Sequence, residues 1–169
     1  MPVKRARDSF TSFNLGSNPT MREAFDQCLA VAAGKARCAL LVGTPGNGKS
    51  HLAIAAMNRF GMQRSMFWKV PDYLAWLRRM VYDEGRLIDD ILRPYREQDF
   101  LLVLDDLGAE NTTDWASEQL YRVLDSRCDE ELPTIITTNQ PPDRIDGRLL
   151  SRYAEGLVVC AGKDLRRGG

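Results

Sequence analysis

Eight residues, Gly43-Thr44-Pro45-Gly46-Asn47-Gly48-Lys49-Ser50, restrict the fold of this chain more than any other stretch, because they fit the pattern G-x-x-x-x-G-K-[ST] without a mismatch. That pattern carries a mechanism only between a strand and a helix. Both are expected here. Ala39-Leu40-Leu41-Val42 is a short apolar run that reads as a buried strand, and His51-Leu52-Ala53-Ile54-Ala55-Ala56-Met57 is rich in helix formers. Three glycines let backbone N–H groups turn inward around phosphate oxygens without Cβ clashes, and the following helix aims its positive end at the same anion. Lys49 is expected to reach β and γ phosphates, and the Ser50 hydroxyl to hold Mg²⁺. The candidate nucleotide-binding set is therefore Gly43, Thr44, Pro45, Gly46, Asn47, Gly48, Lys49 and Ser50, with His51 beside it.

At 169 residues the chain reads as one domain, long enough to bury a sizeable core without staples. Lys plus Arg and Asp plus Glu both number 23, so no overall field draws it to nucleic acid, and any such contact must come from a local patch. Cys28, Cys38, Cys128 and Cys160 lack C-x-x-C spacing, which disfavours zinc and fits buried, reduced thiols. No apolar run approaches membrane-span length, and the basic start Met1 to Arg7 leads into Asp8-Ser9-Phe10 rather than an apolar signal core. A cytoplasmic protein without membrane contact is expected.

Residues 1–19 carry turn formers and two isolated aromatics, Phe10 and Phe13, and read as an extended arm. These rings either cover an adenine or pin the arm to the domain. The core is expected over 20–162, with a basic tail at 163–169. Thr20, with Glu23 three residues on, resembles a capping box opening a helix that runs to Gly34. After the phosphate-loop helix, residues 66–70 read as a second strand ended by Pro71. Two helices follow over about 72–97, broken at Gly85, which is more than a crossover needs.

Phe100-Leu101-Leu102-Val103-Leu104-Asp105-Asp106 is an apolar strand ending in two acids, as buried parallel strands do where ligands collect at their carboxyl ends. Asp105 is placed to hold Mg²⁺ through water opposite Ser50, and Asp106 to orient or deprotonate an attacking water. A helix is expected over 114–130. The strand Thr134-Ile135-Ile136-Thr137-Thr138-Asn139 then delivers a polar tip, where the Asn139 amide either meets a γ-phosphate or caps a turn before Pro141-Pro142. A helix containing residues 147–153 precedes a last strand over 157–160.

With these pieces in place, the chain resembles an AAA+ ATPase. More narrowly, Gly48-Lys49-Ser50-His51-Leu52, Leu104-Asp105-Asp106-Leu107-Gly108-Ala109-Glu110, Pro133-Thr134-Ile135-Ile136-Thr137-Thr138-Asn139 and Leu150-Ser151-Arg152 together resemble bacterial replicative helicase loaders of the DnaC/DnaI type and the related transposition helper IstB. The similarity covers roughly residues 8–166. It implies an α/β P-loop NTPase fold, a three-layer sandwich around a five-stranded parallel sheet of order 5-1-4-3-2. It also implies ATP or ADP with Mg²⁺ as ligands, a helical or ring-like homo-oligomer, and a replicative DNA helicase as partner. By that likeness Asp105 and Asp106 are the Walker B pair, Asn139 the first sensor and Arg152 an arginine finger acting on the neighbour's nucleotide. The two-helix insertion corresponds to the element associated with single-stranded DNA, so Arg78, Arg79, Arg86, Arg93 and Arg96 become candidate phosphate contacts, with Trp76 or Tyr82 as stacking partners. The competing reading makes these arginines a solvated helix face and Trp76 core.

Two departures qualify the likeness. Typical AAA+ ATPases place glutamate after the Mg²⁺ aspartate, whereas Asp106 is one methylene shorter, which predicts slow hydrolysis and use of ATP as a switch. The helical lid expected after the fifth strand and the helicase-binding N-terminal region are not found in the sequence, as in an excised ATPase domain or a minimal relative. A small-molecule kinase would need an arginine-bearing lid that the sequence does not offer. A nucleotide-gated adaptor without turnover, and an IstB-like transposition helper, share every binding residue.

Overall fold

The computed structural model describes residues 8–15, 18–108 and 113–161, in which five short strands alternate with helices. Their order is α1 (Pro19–Ala32), β1 (Cys38–Gly43), α2 (Lys49–Phe60), β2 (Ser65–Lys69), α3 (Val70–Tyr82), α4 (Ile88–Glu97), β3 (Leu101–Leu107), α5 (Asp114–Asp129), β4 (Thr134–Thr138), α6 (Gly147–Arg152) and β5 (Leu157–Cys160). All pairings are parallel, in the order β2-β3-β4-β1-β5, as the resemblance to AAA+ ATPases implied. A parallel sheet must be covered on both faces, and the period-two alternation of the strands divides the core in two. Leu40, Val42, Leu102, Leu104 and Ile136 pack with α3, α4 and α5. Ala39, Leu41, Leu101, Val103 and Ile135 pack with α1 and α2. Each buried leucine, valine or isoleucine among them contributes roughly 1.5–3 kcal/mol.

The helix ends differ from the sequence expectation in instructive ways. Asn18, not Thr20, caps α1, accepting from Thr20 N at 3.1 Å, with Pro19 in the first turn where its missing N–H costs nothing. The Thr20 hydroxyl is thereby released to donate to Asn18 Oδ1 (2.9 Å) and to bond Ala161, beyond the end of β5. Pro71 does more than end β2: it sits in the first turn of α3, which begins at Val70. Where it is described, at residues 8–15, the arm is not extended, and residues 1–7 and 16–17 lie outside the described residues. Residues 9–12 form a turn, Phe10 packs edge-on against Phe25 of α1 at 4.8 Å, and Phe13 lies 5.1 Å from the His51 ring, so both aromatics pin the arm to the domain. The expected tail at 163–169 lies outside the described residues.

A buried arginine ties the two-helix insertion to the sheet. Arg127 of α5 has no exposed surface, and it donates to the carbonyls of Tyr95 (2.7 Å), Phe100 (2.6 Å) and Pro133 (2.9 Å) and to Thr134 Oγ1 (3.0 Å). Its guanidinium also lies over the Phe100 ring, 4.7 Å from the centroid. One side chain thus joins the last turn of α4 to the starts of β3 and β4. The four cysteines are free and buried, and burial pushes the Cys38 and Cys160 thiols up to about 12 and about 11. Among the described residues, no helix is long and apolar enough to cross a membrane.

Candidate nucleotide-binding site

The turn between β1 and α2 curls because its glycines adopt backbone conformations that other residues rarely take. Gly46 and Gly48 have φ of 82° and 98°, and a Cβ on Gly43 would collide with the Cys160 carbonyl and the Asn47 amide. No side chain caps α2, so its first-turn N–H groups remain available to an anion. Lys49 is 4% exposed, and its ammonium donates to Gly43 O (2.7 Å), Thr44 O (2.9 Å), Asn47 Oδ1 (3.0 Å) and Asn139 Oδ1 (3.0 Å). Asn47 is equally buried, and its Nδ2 donates to Cys160 O at 3.1 Å, which fastens the turn to the end of β5.

Opposite the turn, β3 delivers its two acids through an irregularity. Leu104 pairs with Ile136 and Leu107 with Thr138, so three steps along β3 match two along β4. Asp106 takes up the extra residue with φ of 61°. Asp105, 3% exposed, accepts from Ser50 Oγ at 2.7 Å and from Thr137 Oγ1 at 2.6 Å. Thr137 Oγ1 in turn accepts from Asp106 N at 3.1 Å, so one hydroxyl orients both acids. Asn139 bridges the two sides: its Oδ1 accepts from Lys49, and its Nδ2 donates to Asp106 Oδ1 at 3.2 Å. The result is a cavity of about 180 Å³ lined by Pro45 to His51, Asp106 and Asn139.

The residues fit a magnesium nucleotide. The turn is shaped as a cradle that a Cβ would fill, and a hydroxyl and a carboxylate already within hydrogen-bond distance form the oxygen pair that Mg²⁺ takes. Not every predicted member faces the cavity. His51 lines it, yet its Nε2 lies 3.2 Å from Ser9 O, so the ring also holds the arm. Thr138, expected at the polar tip, is buried and donates to Leu107 O at 2.7 Å. Thr137 was missed, because a threonine inside a β-branched strand reads as strand propensity; the signal was its place two residues before Asn139, on the face of Ile135.

Arg152 is not among the residues lining the cavity; it pairs with Asp125 and Asp129 of α5, each at 2.8 Å, and the Asp125 charge followed by that of Asp129 raises its pKa. On the insertion, Arg78 donates to Thr113 Oγ1 (3.1 Å) and lies 5.2 Å from the Trp115 ring centroid, Arg79 lies 3.7 Å from Glu84, and Arg86 approaches Met80 Sδ at 3.7 Å. Arg93 pairs with Asp90 as on a solvated helix face, whereas Arg96, paired with Asp89, is 21% exposed and its Nε is buried. Trp76 packs among Trp68, Tyr73 and Tyr95 and belongs to the core, whereas Tyr82 is 70% exposed beside Trp115. Trp115 was not anticipated as a neighbour of Arg78, since 37 residues separate them.

Known proteins share both sequence and fold with this chain. It is 30% identical over 115 residues to the replicative helicase loader DnaI of Bacillus subtilis (strain 168), an alignment covering 66% of this chain and 36% of that protein. It spans about half the length of the other curated relatives it matches. The crystal structure of the DnaC helicase loader superimposes with a TM-score of 0.78 at 25% identity, covering 94% of this chain and all of that one. The replication initiator DnaA, in a structure with AMPPCP and single-stranded DNA, shares the fold at a TM-score of 0.75 and 20% identity, over 93% of this chain and 50% of that one. The family model of the IstB-like ATP binding proteins matches residues 26–149, and the chain belongs to that family, on an AAA+ fold shared with DnaC, DnaI and DnaA.

Proposed function

We propose that this chain is the ATP-binding module of a helicase loader for DNA replication, taking up ATP·Mg²⁺ at the carboxyl edge of the sheet and hydrolysing it slowly as a switch. The observation that carries this is the convergence of Lys49, Ser50, Asp106 and Asn139 on one cavity, with Asp105 fixed behind Ser50. Gly43 to Gly48 would wrap the phosphates with backbone N–H groups, and Lys49 would exchange its bonds to the Gly43 and Thr44 carbonyls for phosphate oxygens. Ser50 and Asp105 would hold Mg²⁺, whose charge offsets that of the β and γ phosphates. Asp106 accepts the proton of the attacking water or orients that water, and Asn139, already bonded to Lys49 and Asp106, steadies the terminal phosphate. The shorter reach of Asp106 is the reason for slow turnover.

In the same proposal, copies assemble into a helical or ring-like homo-oligomer in the cytoplasm, and Arg152 serves the neighbour's nucleotide. Single-stranded DNA runs along the insertion, against Arg78, Arg79 and Arg86, with Tyr82 and Trp115 offering ring faces. The likeness to DnaA, solved with single-stranded DNA, and to the loaders DnaI and DnaC supports the DNA and helicase partners. Calorimetry with ATP·Mg²⁺ tests the core of the proposal: the wild type binds and Lys49→Ala does not. Equal binding by both, or none by either, refutes it. ATPase rate against protein concentration, with and without single-stranded DNA, separates a loader from a non-hydrolysing adaptor, which would stay flat at zero. Co-purification with a replicative helicase rather than a transposase separates loading from an IstB-like transposition role.

A further inference from the structure

Arg152 is already engaged within its own chain. Its Nε lies 2.8 Å from Asp125 Oδ1 and its Nη1 2.8 Å from Asp129 Oδ1, with Tyr121 also beside the guanidinium. The two acids stand four residues apart on one face of α5, in its last turns, where the helix dipole adds further negative charge. One cation between two carboxylates leaves a cluster of net negative charge. The side chains of Arg152 and Asp129 are 41% and 56% exposed, so that side of the cluster is open to solvent and to an approaching molecule, whereas Asp125, 26% exposed, keeps its Oδ1 buried against the guanidinium.

We infer that Asp125 and Asp129 are positioning residues that hold Arg152 away from a neighbouring copy's nucleotide until assembly brings the triphosphate close enough to outcompete them. The inference rests on the proposed action of Arg152 in trans and adds its control. The two acids are local stand-ins for the phosphate oxygens: Asp129 accepts a hydrogen bond from Nη1, and the Asp125 carboxylate faces Nε as an ion pair. Release is feasible because exposed pairs are weak, and one such bridge corresponds to at most about a fivefold change in an equilibrium. A neighbour's triphosphate, with its several negative charges, exceeds that. Neutralising the acids makes the cluster cationic and moves the balance toward the neighbour.

The test separates the copy that gives the arginine from the copy that holds the nucleotide. Lys49→Ala chains act as donors, with Arg152 intact and a disabled phosphate turn. Arg152→Ala chains act as acceptors. Mixing the two is expected to restore ATP hydrolysis that neither shows alone. Donors that also carry Asp125→Asn and Asp129→Asn should reach half-maximal rate at roughly two- to fivefold lower donor concentration, a gain that 1 M NaCl abolishes. Asp129→Asn alone, at the more exposed position, gives a smaller gain in the same direction, and Asp129→Glu restores the original value. If the acids only brace α5 against α6, their loss leaves the donor concentration unchanged or raises it, and either result overturns the inference. If no donor restores hydrolysis while both variants remain folded, the trans role of Arg152 falls and this control with it. Nucleotide binding by wild-type chains, read separately by calorimetry, shows whether the site proposed above survives.

Discussion

Replacing Arg127 by methionine should destabilise the fold by about 3 kcal/mol. The side chain is wholly buried and donates to three carbonyls and one hydroxyl, and the Asp99 charge acts on it without a hydrogen bond. Hydrogen bonds from a charged donor contribute about 1.5 kcal/mol each at the low end, so four give roughly 6 kcal/mol. Against this, burial lowers the guanidinium pKa to about 10, an expense on the order of 3 kcal/mol that methionine does not incur. Methionine keeps most of the apolar stem, so packing against Phe100 changes little. The net loss is a large fraction of the 5–15 kcal/mol that holds a domain together. Urea denaturation followed by tryptophan fluorescence reads it directly, as a midpoint lowered by about 1.5 M at an unchanged slope near 2 kcal/mol/M. Arg127→Lys should lose nearly as much, because an ammonium cannot span acceptors on α4, β3 and β4 at once. A methionine variant within 1 kcal/mol of wild type, or a lysine variant equal to it, would show that the fork of contacts is not what joins the insertion to the sheet.

Three further outcomes are expected. Thr137→Val, which keeps the shape but removes the hydroxyl shared by Asp105 and Asp106, should weaken ATP binding about tenfold in the presence of Mg²⁺ and far less in its absence; equal loss in both would detach Thr137 from the metal side of the cleft. The native thiols should react with Ellman's reagent only on unfolding, since all four cysteines are buried; rapid modification of one in the folded protein would contradict this. Asp146 caps α6 and pairs with Arg148, whose hydrogen bonds to it are the main cause of its lowered pKa. A lowered folded pKa stabilises above the unfolded value and is lost as pH falls through the folded one. Asp146→Ala should therefore cost about 1 kcal/mol at pH 7 and progressively less below pH 4, and a cost that persists at low pH would assign it to packing instead.

The phosphate turn and both acids were legible because each rests on short-range chemistry: a glycine-dependent turn, an apolar run, a carboxylate at a strand end. What joins these parts was not. The strand order came only with the resemblance to AAA+ ATPases, since pairing between distant strands leaves no local mark. The shift at Asp106 follows from how β3 meets β4, and the bond from Thr137 spans 32 residues to Asp105. Asn18 took the cap expected of Thr20 because Pro19 starts the helix two residues earlier, and Thr20 then found Ala161, at the other end of the domain in sequence. Arg127 gave no signal at all, since an arginine in an amphipathic helix ordinarily faces water, and only the meeting of the α4 end with the starts of β3 and β4 beneath α5 buries it.

The five residues of β4 set two distances at once. Thr134 reaches the arginine under α5 from one face, and Thr137, an odd number of positions on, reaches the acids from the other. A one-residue insertion between them would put the second hydroxyl on the wrong side of the sheet, because side chains alternate strictly along a strand. Length variation in this fold should therefore be tolerated at bends such as the one at Gly85, where a side chain would meet open space, and refused in the central strand, which gauges the cleft against the helices behind it.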